Sequence, residues 1–115
     1  MKAFLVANPK GGSGKSTLST NLAGYFASRG DDVMLGDIDP QQSSREWLAL
    51  RPFAARHIDT WEIGSDKIAR PPKGSTHVVI DTPAGLCGKL LERALKLSAR
   101  VIIPVQPSMF DMLAT

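Results

Sequence analysis

The chain has 115 residues with 43% hydrophobic content, enough for one core and one domain over 1–115 and not for two. That content excludes a disordered chain, and no apolar run nears the roughly 20 residues that cross a bilayer, so a membrane partner is not expected. Fourteen basic against eleven acidic side chains leave +3, too little by itself to argue for nucleic acid, and the single Cys87 excludes an internal disulfide and offers no cysteine pair for a zinc or iron–sulfur site.

In chain order, Ala3 to Ala7 is a short apolar run that predicts a buried strand, too brief before Asn8 and Pro9 to be the core of a signal peptide. With the lone cysteine this places the chain in the cytoplasm. A glycine-rich loop follows, and from Lys15 onward Leu18, Leu22 and Phe26 fall four apart, predicting a helix that ends near Arg29 and the C-cap glycine Gly30. Val33 to Ile38 predicts a second strand, and Ser43 to Leu50 a second helix that stops before Pro52, with Trp47 and Arg51 placed for a cation–π contact of structural character. His57 to Ile63 reads as a strand and Arg70 to Gly74 as a loop; Trp61 suits a core or interface position, and His57 and His77 are read as structural. Val78 to Ile80 predicts the third clear strand, and a helix from Gly88 to Ala99 puts Leu90, Leu91, Ala94 and Leu95 on one face, with Cys87 just before it read as an inert packed thiol. Lys89, Arg93, Lys96 and Arg100 then form a basic stripe opposite the leucines, read first as a solvated face and only second as a contact for DNA phosphates. Val101 to Val105 predicts a last strand, and Ser108 a cap for a helix bearing Phe110, Met112 and Leu113.

Strands rich in Val and Ile that alternate with helical patterns define the α/β class, and runs apolar at consecutive positions predict a mostly parallel sheet with helices on both faces. An apolar strand left at a sheet edge, followed by about two helical turns, is an awkward place to stop, and the reading is of a truncated chain.

The loop after the first strand, Lys10-Gly11-Gly12-Ser13-Gly14-Lys15-Ser16-Thr17, has the strand–glycine loop–helix context of a P-loop. Glycines at 11, 12 and 14 let backbone N–H groups face an anion at the positive end of the helix dipole. Lys15 is expected on the β- and γ-phosphates of a nucleotide and the Ser16 hydroxyl on magnesium. The second strand runs into Asp37-Ile38-Asp39-Pro40-Gln41, two carboxylates one residue apart, one suited to a magnesium-bound water and the other to the attacking water. Asp-Pro also begins turns, so that motif is weak without the loop before it. The third strand ends in Asp81-Thr82-Pro83-Ala84-Gly85, where Asp81 suits a Walker B carboxylate.

Asn8-Pro9-Lys10-Gly11-Gly12-Ser13-Gly14-Lys15-Ser16, with its loop-initial lysine, resembles the deviant Walker A motif of the ParA/MinD ATPases. Asp37 to Gln41, Asp81 to Gly85 and Val101 to Ser108 resemble further motifs of that family, so the likeness covers nearly the whole chain. The resemblance implies a P-loop NTPase fold, of which 1–115 is the N-terminal part of a longer family domain. It also implies ATP and Mg2+ as cofactors, a homodimer formed on ATP binding with Lys10 acting across the interface, and hydrolysis that depends on Asp39. A plasmid or chromosome partitioning role follows from it, with a centromere-binding partner, nonspecific DNA bound by the complete protein, and a cytoplasmic, nucleoid-associated location. In the family the base is contacted beyond the fourth strand, which leaves open a second function, a nucleotide-binding or interaction module without turnover. A MinD-like division regulator is the third, and it would need a C-terminal amphipathic membrane helix.

Overall fold

The computed structural model describes residues 1–7, 14–38, 42–52, 54–61, 71, 73–83, 86 and 88–105. Their elements run β1 (Lys2–Val6), α1 (Lys15–Ser28), β2 (Val33–Asp37), α2 (Ser43–Ala49), β3 (His77–Asp81), α3 (Gly88–Leu97) and β4 (Arg100–Ile102). The strands form one parallel sheet in the order β2-β3-β1-β4. The step from β1 to β2 goes to one side of β1 and the step from β3 to β4 goes to the other. Parallel crossovers are right-handed, so opposite steps put α1 and α3 on opposite faces of the sheet.

The alternation of side chains along each strand fills both faces. Ala3, Leu5, Met34, Val78 and Ile80 pack with Ala94 and the half-buried Leu86, Leu90 and Leu97 on the α3 side. Val6, Val33, Leu35 and Val79 pack with Ala23, Phe26 and Ala27 of α1 and with the partly buried Trp47 and Leu48 of α2. Small residues at Ser19, Ala23 and Ala27, all buried, let α1 lie close to the sheet, while the expected large residues Leu18 and Leu22 are only half-buried at its flank. The helix closes as the sequence predicts. Gly30, at φ 91°, takes the left-handed position, and the Asp31 and Gly30 N–H groups bond Phe26 and Ala27 carbonyls at 3.1 and 3.0 Å.

Four expectations change. The third helix ends at Leu97, not Ala99, because the Ala99 N–H already bonds the Ala3 carbonyl at 2.8 Å and leads into β4. Its packed positions are Leu90, Ala94 and Leu97, spaced four and three apart, which leaves Leu95 42% exposed. The last strand covers only Arg100–Ile102, since Pro104 has no N–H to give to a ladder, and Val101 and Ile103 stay nearly half exposed at the sheet edge. Arg100 therefore belongs to β4 and not to the α3 surface that carries Lys89, Arg93 and Lys96; all four are exposed.

Within the expected strand at His57 to Ile63, the described residues 57–61 make a single parallel bridge to β2: Leu35 N–H donates to the Asp59 carbonyl at 2.8 Å and Asp59 N–H to Val33 at 3.0 Å. This caps the outer edge of β2, with Ile58 buried beside it and His57 paired to Asp59 at 2.5 Å. His77 rests against Phe26 with ring centroids 4.5 Å apart, and Arg51 lies 5.0 Å from the Trp47 ring centroid, so both keep the structural roles expected of them. Trp61 covers Gly36, where a Cβ would overlap the indole ring. The expected loop contains Pro71, Lys73 and Gly74 (φ 115°), and its other residues, like Cys87 and the expected helix after Ser108, lie outside the described set.

Gly36→Ala must push the Trp61 ring aside, and we expect a loss of about 1–3 kcal/mol in urea unfolding, with a shift in tryptophan emission.

Candidate phosphate site

Reversal of strand order between β1 and β3 opens a crevice at the carboxyl ends of the strands, where open α/β sheets bind ligands. The glycine loop leaves the sheet from β1, and the carboxylates Asp37 and Asp81 stand level with each other at the ends of β2 and β3. Val6, the last residue of β1, is level with Asp81 as well.

Of the loop, Gly14, Lys15, Ser16 and Thr17 are described; Lys10, Gly11, Gly12 and Ser13 lie outside the described residues, as do Asp39, Ala84 and Gly85. Gly14 caps α1 with φ 90°, a left-handed conformation that glycine takes without strain, and its carbonyl accepts the Leu18 N–H at 2.9 Å. The first turn of α1 carries no acidic residue, so its positive end is not neutralised from within the helix. Lys15 is buried at 8% exposure, an environment in which a cationic side chain needs anionic company.

Asp81 is fully buried. Its Oδ2 accepts from the Ser16 hydroxyl at 2.7 Å and from the Ser44 hydroxyl at 2.6 Å, whereas its Oδ1 has no hydrogen-bond partner among the described residues. Asp37, 5% exposed, accepts the backbone N–H groups of Ser44 and Arg45 on Oδ2 at 2.9 and 3.3 Å, and so caps α2 from the end of β2. Gln42 stands at the start of α2 with φ 56°, an uncommon conformation for a residue with a side chain, and its Nε2 donates to the Asp37 carbonyl at 2.9 Å.

The structure thus brings Ser16 and Asp81 into direct contact and sets Asp37 in the neighbouring strand, holding the backbone of α2. Buried carboxylate and hydroxyl oxygens are ligands that magnesium takes, and the Asp81 Oδ1 atom, without a partner among the described residues, is available to one. Ser16 and Asp81 therefore fit a divalent cation. Among the described residues no group of three or more His, Cys, Asp or Glu side chains could hold a metal.

Sequence reasoning missed two residues of the site. Ser44 gave no signal, being one of two adjacent serines at a helix start. Thr82 is 1% exposed and donates its hydroxyl to the Val6 carbonyl at 2.7 Å, which ties the turn after β3 to the point where β1 enters the glycine loop.

Comparison with known proteins gives a consistent picture. The profile of a family described as the CobQ/CobB/MinD/ParA nucleotide binding domain matches residues 4–111. The maintenance of carboxysome distribution protein A of Gloeobacter kilaueensis is 34% identical over 114 residues, which is 96% of this chain and 52% of that protein. Protein ParA of Rhizobium radiobacter is 28% identical over 114 residues, 96% of this chain and 51% of the relative. The chain thus spans about half the length of these curated relatives. In fold it resembles a putative plasmid partition protein from Borrelia burgdorferi, solved with AMPPNP, with a TM-score of 0.73 over 98% of this chain and 66% of that one at 22% identity.

Thr82→Val removes the bond to the Val6 carbonyl, and we expect a loss of about 0.5–1.5 kcal/mol in chemical unfolding.

Proposed function

The chain belongs to the CobQ/CobB/MinD/ParA nucleotide-binding family, and from that premise we propose that it is the nucleotide-binding part of a ParA-type ATPase that partitions DNA. The observation that carries the reading is the Ser16–Asp81 contact beside the N-terminus of α1, whose first turn holds no acidic residue, at the crevice between β1 and β3. In this reading the amides from Gly11 to Thr17 and the Lys15 ammonium hold the phosphates of ATP. Ser16 and Asp81 would hold Mg2+, which would neutralise charge on the phosphates. Asp39, on the segment between β2 and α2, orients the attacking water. Asp37 anchors that segment at both ends, through its place at the end of β2 and its bonds to Ser44 and Arg45. Lys10 reaches the nucleotide of a second subunit in an ATP-dependent homodimer and stabilises charge in the transition state. The complete protein then binds DNA nonspecifically and answers to a centromere-binding partner.

A second cargo is favoured by one comparison. The 34% identical relative is named for carboxysome distribution, and its match runs along nearly the whole chain, so a protein-bound body is the alternative load for the same ATPase cycle.

Steady-state hydrolysis of ATP with magnesium and DNA tests the reading. Lys10→Ala, Lys15→Ala and Asp39→Ala should each lower turnover by on the order of 100-fold or more, with the folded state intact. Turnover in Asp39→Ala equal to wild type would remove Asp39 from the mechanism.

A further inference from the structure

Asp81 offers two oxygens, and the structure distinguishes them. Oδ2 is saturated by two hydroxyl donors, Ser16 from α1 and Ser44 from α2, at 2.7 and 2.6 Å, while Oδ1 is left with no partner among the described residues. The terminal torsion of an aspartate is broad and roughly two-fold, so the carboxylate has little orientation of its own and takes it from its neighbours. On the reading above the Ser16 oxygen also faces the cation through a lone pair while its proton stays on Asp81, so Ser16 serves two partners at once. Ser44 is fully buried and has no such second duty.

We propose that Ser44 is a positioning residue of the phosphate site: its hydroxyl fixes which face of the Asp81 carboxylate is presented to a divalent cation. The proposal rests on the Mg-ATP reading of the site. The cap of α2 does not depend on that hydroxyl, because it is made by the backbone N–H groups of Ser44 and Arg45 on Asp37, bonds that a side-chain change at 44 leaves in place. A group that orients a cation's carboxylate from behind typically governs cation affinity by on the order of 10- to 100-fold.

The test is calorimetric titration of the whole protein with AMPPNP, repeated across Mg2+ concentrations and in EDTA, for wild type, Ser44→Ala and Ser44→Thr. Ser44→Ala should raise the Mg2+ needed for half-maximal binding by about tenfold and leave the affinity in EDTA unchanged. Ser44→Thr, which keeps the hydroxyl, should keep the wild-type Mg2+ dependence. Ser44→Cys, a weaker donor of similar size, should shift the Mg2+ requirement less and in the same direction, and it serves if the alanine variant does not fold. A wild-type Mg2+ dependence in Ser44→Ala, or an equal loss of affinity with and without Mg2+, overturns the positioning role. Wild-type binding that is indifferent to Mg2+ overturns the reading of the site itself, and the role of Ser44 with it.

Discussion

Everything at the carboxyl end of the sheet depends on how one buried carboxylate is satisfied. Asp81 sits at the end of β3 with no exposure, and a charge so placed is tolerated only where hydrogen bonds and counter-charge meet it. Its bonds come from hydroxyls on two different helices, so the same carboxylate that suits a cation also draws the starts of α1 and α2 together. Asp37, level with it in the next strand, secures the α2 backbone, and Thr82 secures the end of β1. The candidate site and the joints of the fold are thus made from the same few polar atoms.

Topology explains why those atoms meet. β3 inserts between β1 and β2, which sets Asp81 between the exit to the glycine loop and the exit to the Asp37–Gln41 segment. Local sequence cannot specify that insertion. Consecutive apolar positions in four runs made the parallel α/β sheet legible, and Gly30 after Arg29 marked the end of α1. Strand order came only with the structure. The lining of the sheet was legible only in part: large residues four apart predicted the α1 face, yet Ser19, Ala23 and Ala27 make the close approach, and small residues carry no periodic signal of hydrophobicity.

The site was legible where chemistry demands residue types at fixed spacing. Gly14, Lys15 and Ser16 after a strand, and Asp81 at the end of another, stood out because the chemistry proposed for them leaves little choice of residue type, and the structure brings Ser16 and Asp81 together. Ser44 and Thr82 did not stand out, since a hydroxyl that bonds a distant atom looks in sequence like any surface serine or threonine. The apolar run after Ala99 shows the limit of pattern in the other direction. Five consecutive apolar residues predicted a strand over Val101 to Val105, whereas the ladder covers Arg100–Ile102 and stops short of Pro104, which has no N–H to give.

On the proposed reading Asp81 and Ser16 form one cation-dependent phosphate site. The most direct test is the thermal midpoint of wild type and Asp81→Asn, each measured with AMPPNP in the presence and absence of Mg2+. A ligand that binds only the native state at 100 times its Kd adds about 2.7 kcal/mol. The wild-type midpoint should rise clearly, the rise should require Mg2+, and it should be lost in Asp81→Asn although the variant still folds. An equal, Mg2+-dependent rise in both proteins would contradict that reading.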